Sequence, residues 1–205
     1  TTYIQGILSK NYHKLKEHMV LYPKIGGRVA NTHHNIYFDI QDDSRFSLKI
    51  KKRNLVNYLL REINNNPSDK IILSSEFFWS LSPNKLKKWL PDDFDIKIIL
   101  MIRRQDKWLE SAYAQRIKVP LFADYNYDDT INALSKVSDF DKMLKKWEKV
   151  FLIENIKIKI FDKKPDEDLA TEFLKLCDVT IEDLKGIGEK KNLSLKPEQL
   201  SYLLA

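Results

Sequence analysis

The stretch Ile98-Ile99-Leu100-Met101-Ile102-Arg103-Arg104-Gln105-Asp106-Lys107-Trp108-Leu109-Glu110-Ser111-Ala112-Tyr113 decides the fold. An unbroken apolar run rich in β-branched residues ends at Arg103, the pattern of a strand buried on both faces. A helical pattern over 105–117 begins almost at once. Ile71-Ile72-Leu73 and Ile156 to Phe161 read as two more strands. The last alternates, with Lys157 and Lys159 between isoleucines, as a half-exposed edge strand does. Helical patterns at 83–90, 105–117, 127–135 and 139–149 separate these runs. Strands alternating with helices predict an α/β fold around a central parallel sheet with right-handed crossovers.

The flanks fit one domain over 1–205. Residues 1–10 read as a helix with Ile4, Ile7 and Leu8 on one side, and Met19 to Tyr22 is a short apolar piece ended by Pro23. Gly26-Gly27 marks a loop. Residues 45–63 form a basic amphipathic pattern that Asn64-Asn65-Asn66-Pro67 stops, and helices are expected at 166–176 and 197–204. Pro83, Pro165 and Pro197 suit first-turn positions.

Composition narrows the class. Hydrophobic residues make up 43% and charged residues 31% of 205, an ordinary globular balance. The net charge of +6 suits an anionic ligand, but it is spread along the chain and accompanies no nucleic-acid-binding motif, so no nucleic-acid partner is expected. No apolar run reaches the roughly 18 residues of a membrane span. The lone cysteine, Cys177, reads as a small core residue; it rules out an internal disulfide and fits a reducing, cytoplasmic setting. His33 and His34 are adjacent and point apart, and His13 and His18 complete no ligand spacing, so no metal is expected.

Chemistry concentrates in five places. Arg103 ends a buried strand, where α/β sheets gather ligands, and Ser111 lies about two turns into the next helix with its hydroxyl leaning back. An Arg fork, a hydroxyl and a helix N-terminus suit a phosphate; the plainer alternative pairs Arg103 with Asp106. Glu76 follows the strand run Ile71-Ile72-Leu73 at the same kind of edge. Thr1 and Thr2 open the first helix, as an N-cap or as phosphate ligands. His33 and His34 stand alone, and Lys190, Lys191 and Asn192 form a late basic turn after Gly186 and Gly188.

The segment from Ile98 to Lys118, with Arg103, then Ser111 eight residues on, then Ala112-Tyr113, resembles the 3′-phosphate-binding strand and helix of sulfotransferases that use 3′-phosphoadenosine-5′-phosphosulfate (PAPS), and bacterial members in particular. Thr1-Thr2-Tyr3-Ile4-Gln5 is similar to the tail of that family's 5′-phosphosulfate loop, Lys-Thr-Gly-Thr-Thr; on that resemblance the chain starts inside the loop, without its Lys. Tyr22-Pro23, a Gly at 26 or 27, and His33-His34 resemble a further stretch of the bacterial relatives, as does Asn192-Leu193-Ser194-Leu195.

The resemblance implies a three-layer fold of the P-loop nucleoside-triphosphate-hydrolase type. It implies transfer of a sulfuryl group from PAPS to an acceptor hydroxyl of a carbohydrate or polysaccharide, with no metal. Thr1 and Thr2 would then meet the 5′-phosphate. Arg103, Ser111, Lys190, Lys191 and Asn192 would meet the 3′-phosphate. Glu76, His33 or His34 would be the base. The alternatives are a P-loop kinase, or a non-catalytic module that binds a nucleotide or an anionic glycan.

Overall fold

The computed structural model describes residues 2–25, 32–41, 55–117, 127–161 and 168–188. The chain divides into two compact units, Thr1–Ile96 with Asp166–Glu189 and Lys97–Pro165 with Lys190–Ala205. Several expectations lie outside the described residues: the Gly26-Gly27 loop, the first part of the basic helix, the helix at 197–204, Thr1, Lys190, Lys191 and Asn192.

The first unit opens with α1 (Thr2–Lys10) and α2 (Tyr12–Glu17). Ile4, Ile7 and Leu8 are buried, at the i, i+3, i+4 spacing of one helical stripe. Asn11 interrupts the two helices. Its Nδ2 donates to Ile7 O at 2.8 Å, an Asn side chain taking part in the ladder it breaks. α2 closes at Met19, whose φ of 56° is the left-handed turn that ends many helices.

β1 (Val20–Leu21) then pairs in parallel with β2 (Lys70–Ile71), Val20 opposite Lys70 and Leu21 opposite Ile71. Ile72 N–H donates to Leu21 O at 2.9 Å, which carries the pairing one residue further. The crossover that a parallel pair requires holds α3 (His34–Gln41) and α4 (Leu55–Asn65). A 3₁₀ turn (Glu76–Ser80) and α5 (Pro83–Trp89) follow, with Pro83 in the first turn of α5 as predicted. Leu8, Leu15, Val20, Leu21, Ile36 and Leu59 are almost fully buried. Truncating one such Leu to Ala removes about 2–5 kcal/mol.

The second unit holds β3 (Ile98–Arg103), α6 (Gln105–Ile117), α7 (Tyr127–Val137), α8 (Phe140–Glu148) and β4 (Ile156–Phe161). β3 and β4 pair in parallel from Ile98–Ile156 to Arg103–Phe161. Asp139 caps α8 by accepting from Lys142 N–H at 2.9 Å. Leu134, Met143, Trp147 and Phe151 are buried, with Trp147 stacked on Phe151 at 5.8 Å.

Two strand expectations change here. β3 is half-buried except at Ile98, because it pairs with one strand among the described residues and not within a covered sheet. β4 alternates, but its isoleucines face out: Ile158 and Ile160 are 44% and 66% exposed, while Lys157 and Lys159 are half-buried. Parallel register sets those lysines beside Ile99 and Met101.

α9 (Leu169–Leu176) returns to the first unit and packs on α1 through a face that includes Phe173 and Leu174. Asp168 caps it, accepting from Ala170 N–H at 2.8 Å. Cys177 is half-buried, not a core residue, because it sits at the helix C-cap where the chain turns. Trp147 is in the core as expected, whereas Trp79, Trp89 and Trp108 are half-buried. The architecture is α/β, helices alternating with strands that pair in parallel. Among the described residues no helix is long and apolar enough to cross a membrane.

Candidate functional site

In the first unit, both strands deliver their chain ends to one cluster. β2 runs on to Ser74-Ser75-Glu76, and β1 runs on to Tyr22-Pro23. His33 ties the two. Its backbone N–H donates to Ser74 O at 3.0 Å, and Ser74 N–H donates to its Nδ1 at 2.9 Å. Its Nε2–H donates to Pro23 O at 2.8 Å. Nδ1 therefore accepts and Nε2 carries the proton, which makes the ring neutral. Burial pushes its pKa below 6.5, against the upward pull of the hydrogen bonds to the Pro23 and Ser74 backbone. Only 1% of the residue is exposed, and Tyr22 packs edge-on at 4.7 Å. With both ring nitrogens committed, His33 has no lone pair left for a substrate proton.

His34 is the first residue of α3 and is half-buried. Its Nδ1 lies 2.7 Å from Ser75 Oγ, the same hydroxyl that accepts from Phe77 N–H at 3.1 Å and caps the 3₁₀ turn. Partial burial lowers its pKa, against an opposing pull from the Glu76 charge. Burial outweighs the Glu76 charge, so the neutral ring is favoured.

Glu76 is exposed at the start of that turn, and Thr2 reaches it from α1. Thr2 Oγ1 donates to Glu76 Oε1 at 2.6 Å across 74 residues of sequence. One helical turn on, Gln5 Nε2 donates to Ser74 Oγ at 3.2 Å. Gln5 is 1% exposed, and its Oε1 has no partner among the described residues. The first turn of α1 and the His33-His34 pair thus hold Ser74, Ser75 and Glu76 from two sides. Gln5, Ser74 and Ser75 had no role assigned from sequence. The available signal was the i, i+3 spacing of Thr2 and Gln5, which puts them on one face.

α1 also anchors the turn that precedes the late basic residues. Asn11 pairs with the Lys185 backbone on both sides, accepting from its N–H at 2.8 Å and donating to its O at 3.0 Å. Gly186 has φ +86° and lies so near Lys10 and Ile7 that a Cβ would meet them at 3.0–3.2 Å. Gly188 N–H donates to the Tyr3 hydroxyl at 3.1 Å, and that hydroxyl donates to Asp168. The two glycines serve turn geometry and close approach.

In the second unit, Arg103 ends β3 with its guanidinium 6.0 Å from the Phe161 ring centre. Arg104, not Arg103, takes Asp106 in a forked pair, with Nε donating at 2.8 Å, and this holds the Asp106 carboxyl far below the usual range. The pairing of Arg103 with Asp106 is thereby excluded, and no carboxylate pairs with Arg103 among the described residues. Ser111 lies exposed on α6, and no hydrogen bond joins it to Arg103. Thr1, Lys190, Lys191 and Asn192 lie outside the described residues. Among the described residues no group of three or more His, Cys, Asp or Glu could hold a metal ion.

An uncharacterised protein of Archaeoglobus fulgidus is 32% identical over 130 residues, which span 61% of this chain and 34% of the relative. The chain thus covers about a third of that relative's length. No protein-family model matches the chain, and no solved structure matches it.

Proposed function

We propose that this chain is the body of a PAPS-dependent sulfotransferase, with a fold of the P-loop nucleoside-triphosphate-hydrolase type. The observation that supports the reading most is the hydrogen bond from Thr2 to Glu76. It joins the residue assigned to the phosphate loop to the carboxylate assigned as base, although neither is informative alone. The residues suit the donor's groups. Thr2 opens a helix whose first N–H groups favour an anion. Arg103 has no carboxylate partner among the described residues, as a cation reserved for phosphate requires.

The bound donor supplies an activated sulfuryl group. Glu76 takes the acceptor hydroxyl proton, and the hydrogen bond from Thr2 orients its carboxylate. The acceptor oxygen gains a bond to sulfur as the bond from sulfur to the leaving phosphate oxygen breaks, which gives a sulfate ester and adenosine 3′,5′-bisphosphate. In the first unit Thr2 and the start of α1 suit the 5′ end of the donor, and in the second Arg103 and Ser111 suit a phosphate. The acceptor is a carbohydrate hydroxyl, and the setting is cytoplasmic.

Calorimetric titration of the full-length protein with adenosine 3′,5′-bisphosphate tests this, with AMP and with ATP plus Mg²⁺ as controls. Preference for the 3′-phosphorylated nucleotide is expected. Equal binding of AMP, or preference for ATP with Mg²⁺, would overturn the reading, and the latter would bring forward a kinase.

A further inference from the structure

We infer that the aromatic cluster beside Glu76 is the acceptor subsite, with the exposed ring of Phe77 as the platform on which one pyranose ring of a saccharide stacks. The assignment of an acceptor rests on the proposed sulfuryl transfer; the platform itself rests on side-chain geometry.

Phe77 follows Glu76 in the same 3₁₀ turn and is 42% exposed. A single exposed aromatic is ordinary. This one is held. His34 meets it edge-on at 4.6 Å, Phe38 lies at 5.3 Å and Tyr37 at 5.6 Å, all three from α3. Its backbone is fixed by the N–H bond to Ser75 Oγ. The ring therefore presents apolar surface while losing little freedom on contact, the pre-organisation that makes an aromatic a good anchor.

The surroundings decide what it anchors. Ser80 Oγ donates to the Tyr37 hydroxyl at 3.0 Å, and Glu76 and His34 complete a polar rim around one apolar ring. A pyranose has the matching form: an apolar face of C–H groups to lie on the ring, and hydroxyls around its edge that need donors and acceptors. A lipid chain would want contiguous apolar surface, but Tyr37 and Phe38 are half-buried and offer little. The sugar's hydroxyls would be presented beside Glu76.

Saturation-transfer NMR on the full-length protein, irradiating aromatic protons, tests this with chitohexaose and an unsulfated heparosan hexasaccharide. At least one probe should receive saturation at its ring C–H protons. Phe77→Leu keeps the apolar bulk and loses the ring; it should weaken that binding by about tenfold or more, while Phe77→Tyr should stay within about threefold. Affinity for adenosine 3′,5′-bisphosphate should not change in either variant, and matched thermal midpoints would show that both fold. Absence of saturation from both probes, or equal binding by Phe77→Leu, would overturn the subsite. So would a loss confined to the bisphosphate, which would give the ring to adenine. If the wild-type protein ignores the bisphosphate but saccharide binding still tracks Phe77, the sulfuryl-transfer reading fails and the platform stands.

Discussion

The carboxyl end of the β1–β2 pair and that of the β3–β4 pair are built in opposite ways. At the first, Ser74, Ser75 and Glu76 are held by Thr2, Gln5, His33 and His34, and His33 uses both ring nitrogens. At the second, Arg103 has an aromatic ring at 6.0 Å and no carboxylate partner among the described residues, and Ser111 is exposed. The first resembles a catalytic frame, where a proton acceptor must be fixed before substrate arrives. The second resembles a binding cation left for its ligand, since an Arg already paired would gain less from a phosphate. A dense hydrogen-bond network thus marks the place of proposed chemistry, and an Arg without a carboxylate partner among the described residues marks the place of proposed binding.

The contrast can be broken at several points. The largest effect is expected from Glu76→Gln, which should lower turnover by about 10²–10⁴-fold and leave bisphosphate affinity unchanged. Retained turnover would move the proton to His34 and empty the frame of its purpose. Next comes His33→Ala, which should reduce the unfolding free energy in urea by about 2–4 kcal/mol, since it strands the Ser74 N–H and Pro23 carbonyl and leaves a void. Unchanged stability would mean that His33 does not tie the strand ends.

Arg103→Ala should weaken bisphosphate binding by about ten- to a hundredfold at an unchanged unfolding midpoint. The reverse outcome, lost stability with intact affinity, would make Arg103 structural and erase the difference between the two edges.

The pH dependence sharpens the same point. The folded pKa of His33 is lowered by burial, so the fold favours the neutral ring. Below about 6.5 the unfolded chain takes up a proton that the folded chain refuses. Stability should therefore be full above that value and be lost as pH falls through the lowered folded pKa. Urea midpoints between pH 7.5 and 5.5 should fall, and less steeply in His33→Ala. An identical slope would place the titration elsewhere. The smallest effect is expected from Ser111→Ala, about 0.5–1.5 kcal/mol of bisphosphate affinity, read in the same calorimeter.

Much of the fold was legible because its signals are local. The run ending at Arg103 and the helix after it form β3 and α6, and the Ile156 to Phe161 run is β4 residue for residue. Pro83 marked the first turn of α5. Other elements gave weaker signals. α2 and α3 are short, and Asn11, although a favoured N-cap residue, makes no side-chain capping bond to α2. The direction of the β4 alternation was hidden too, since period two says that faces differ and not which one is covered.

By itself the sequence determined the alternation of strands and helices and the placing of Arg103 at a strand end. These follow from neighbours within a few residues, where periodicity and backbone propensity act. Only the tertiary structure decided that Thr2 meets Glu76 and that both ring nitrogens of His33 are taken by backbone groups. Contacts such as Thr2–Glu76 and His33–Ser74 join residues far apart in the chain, and one hydrogen-bond partner settles a tautomer or a carboxylate's orientation. No local pattern carries that information, because these partners meet only when separate elements pack together.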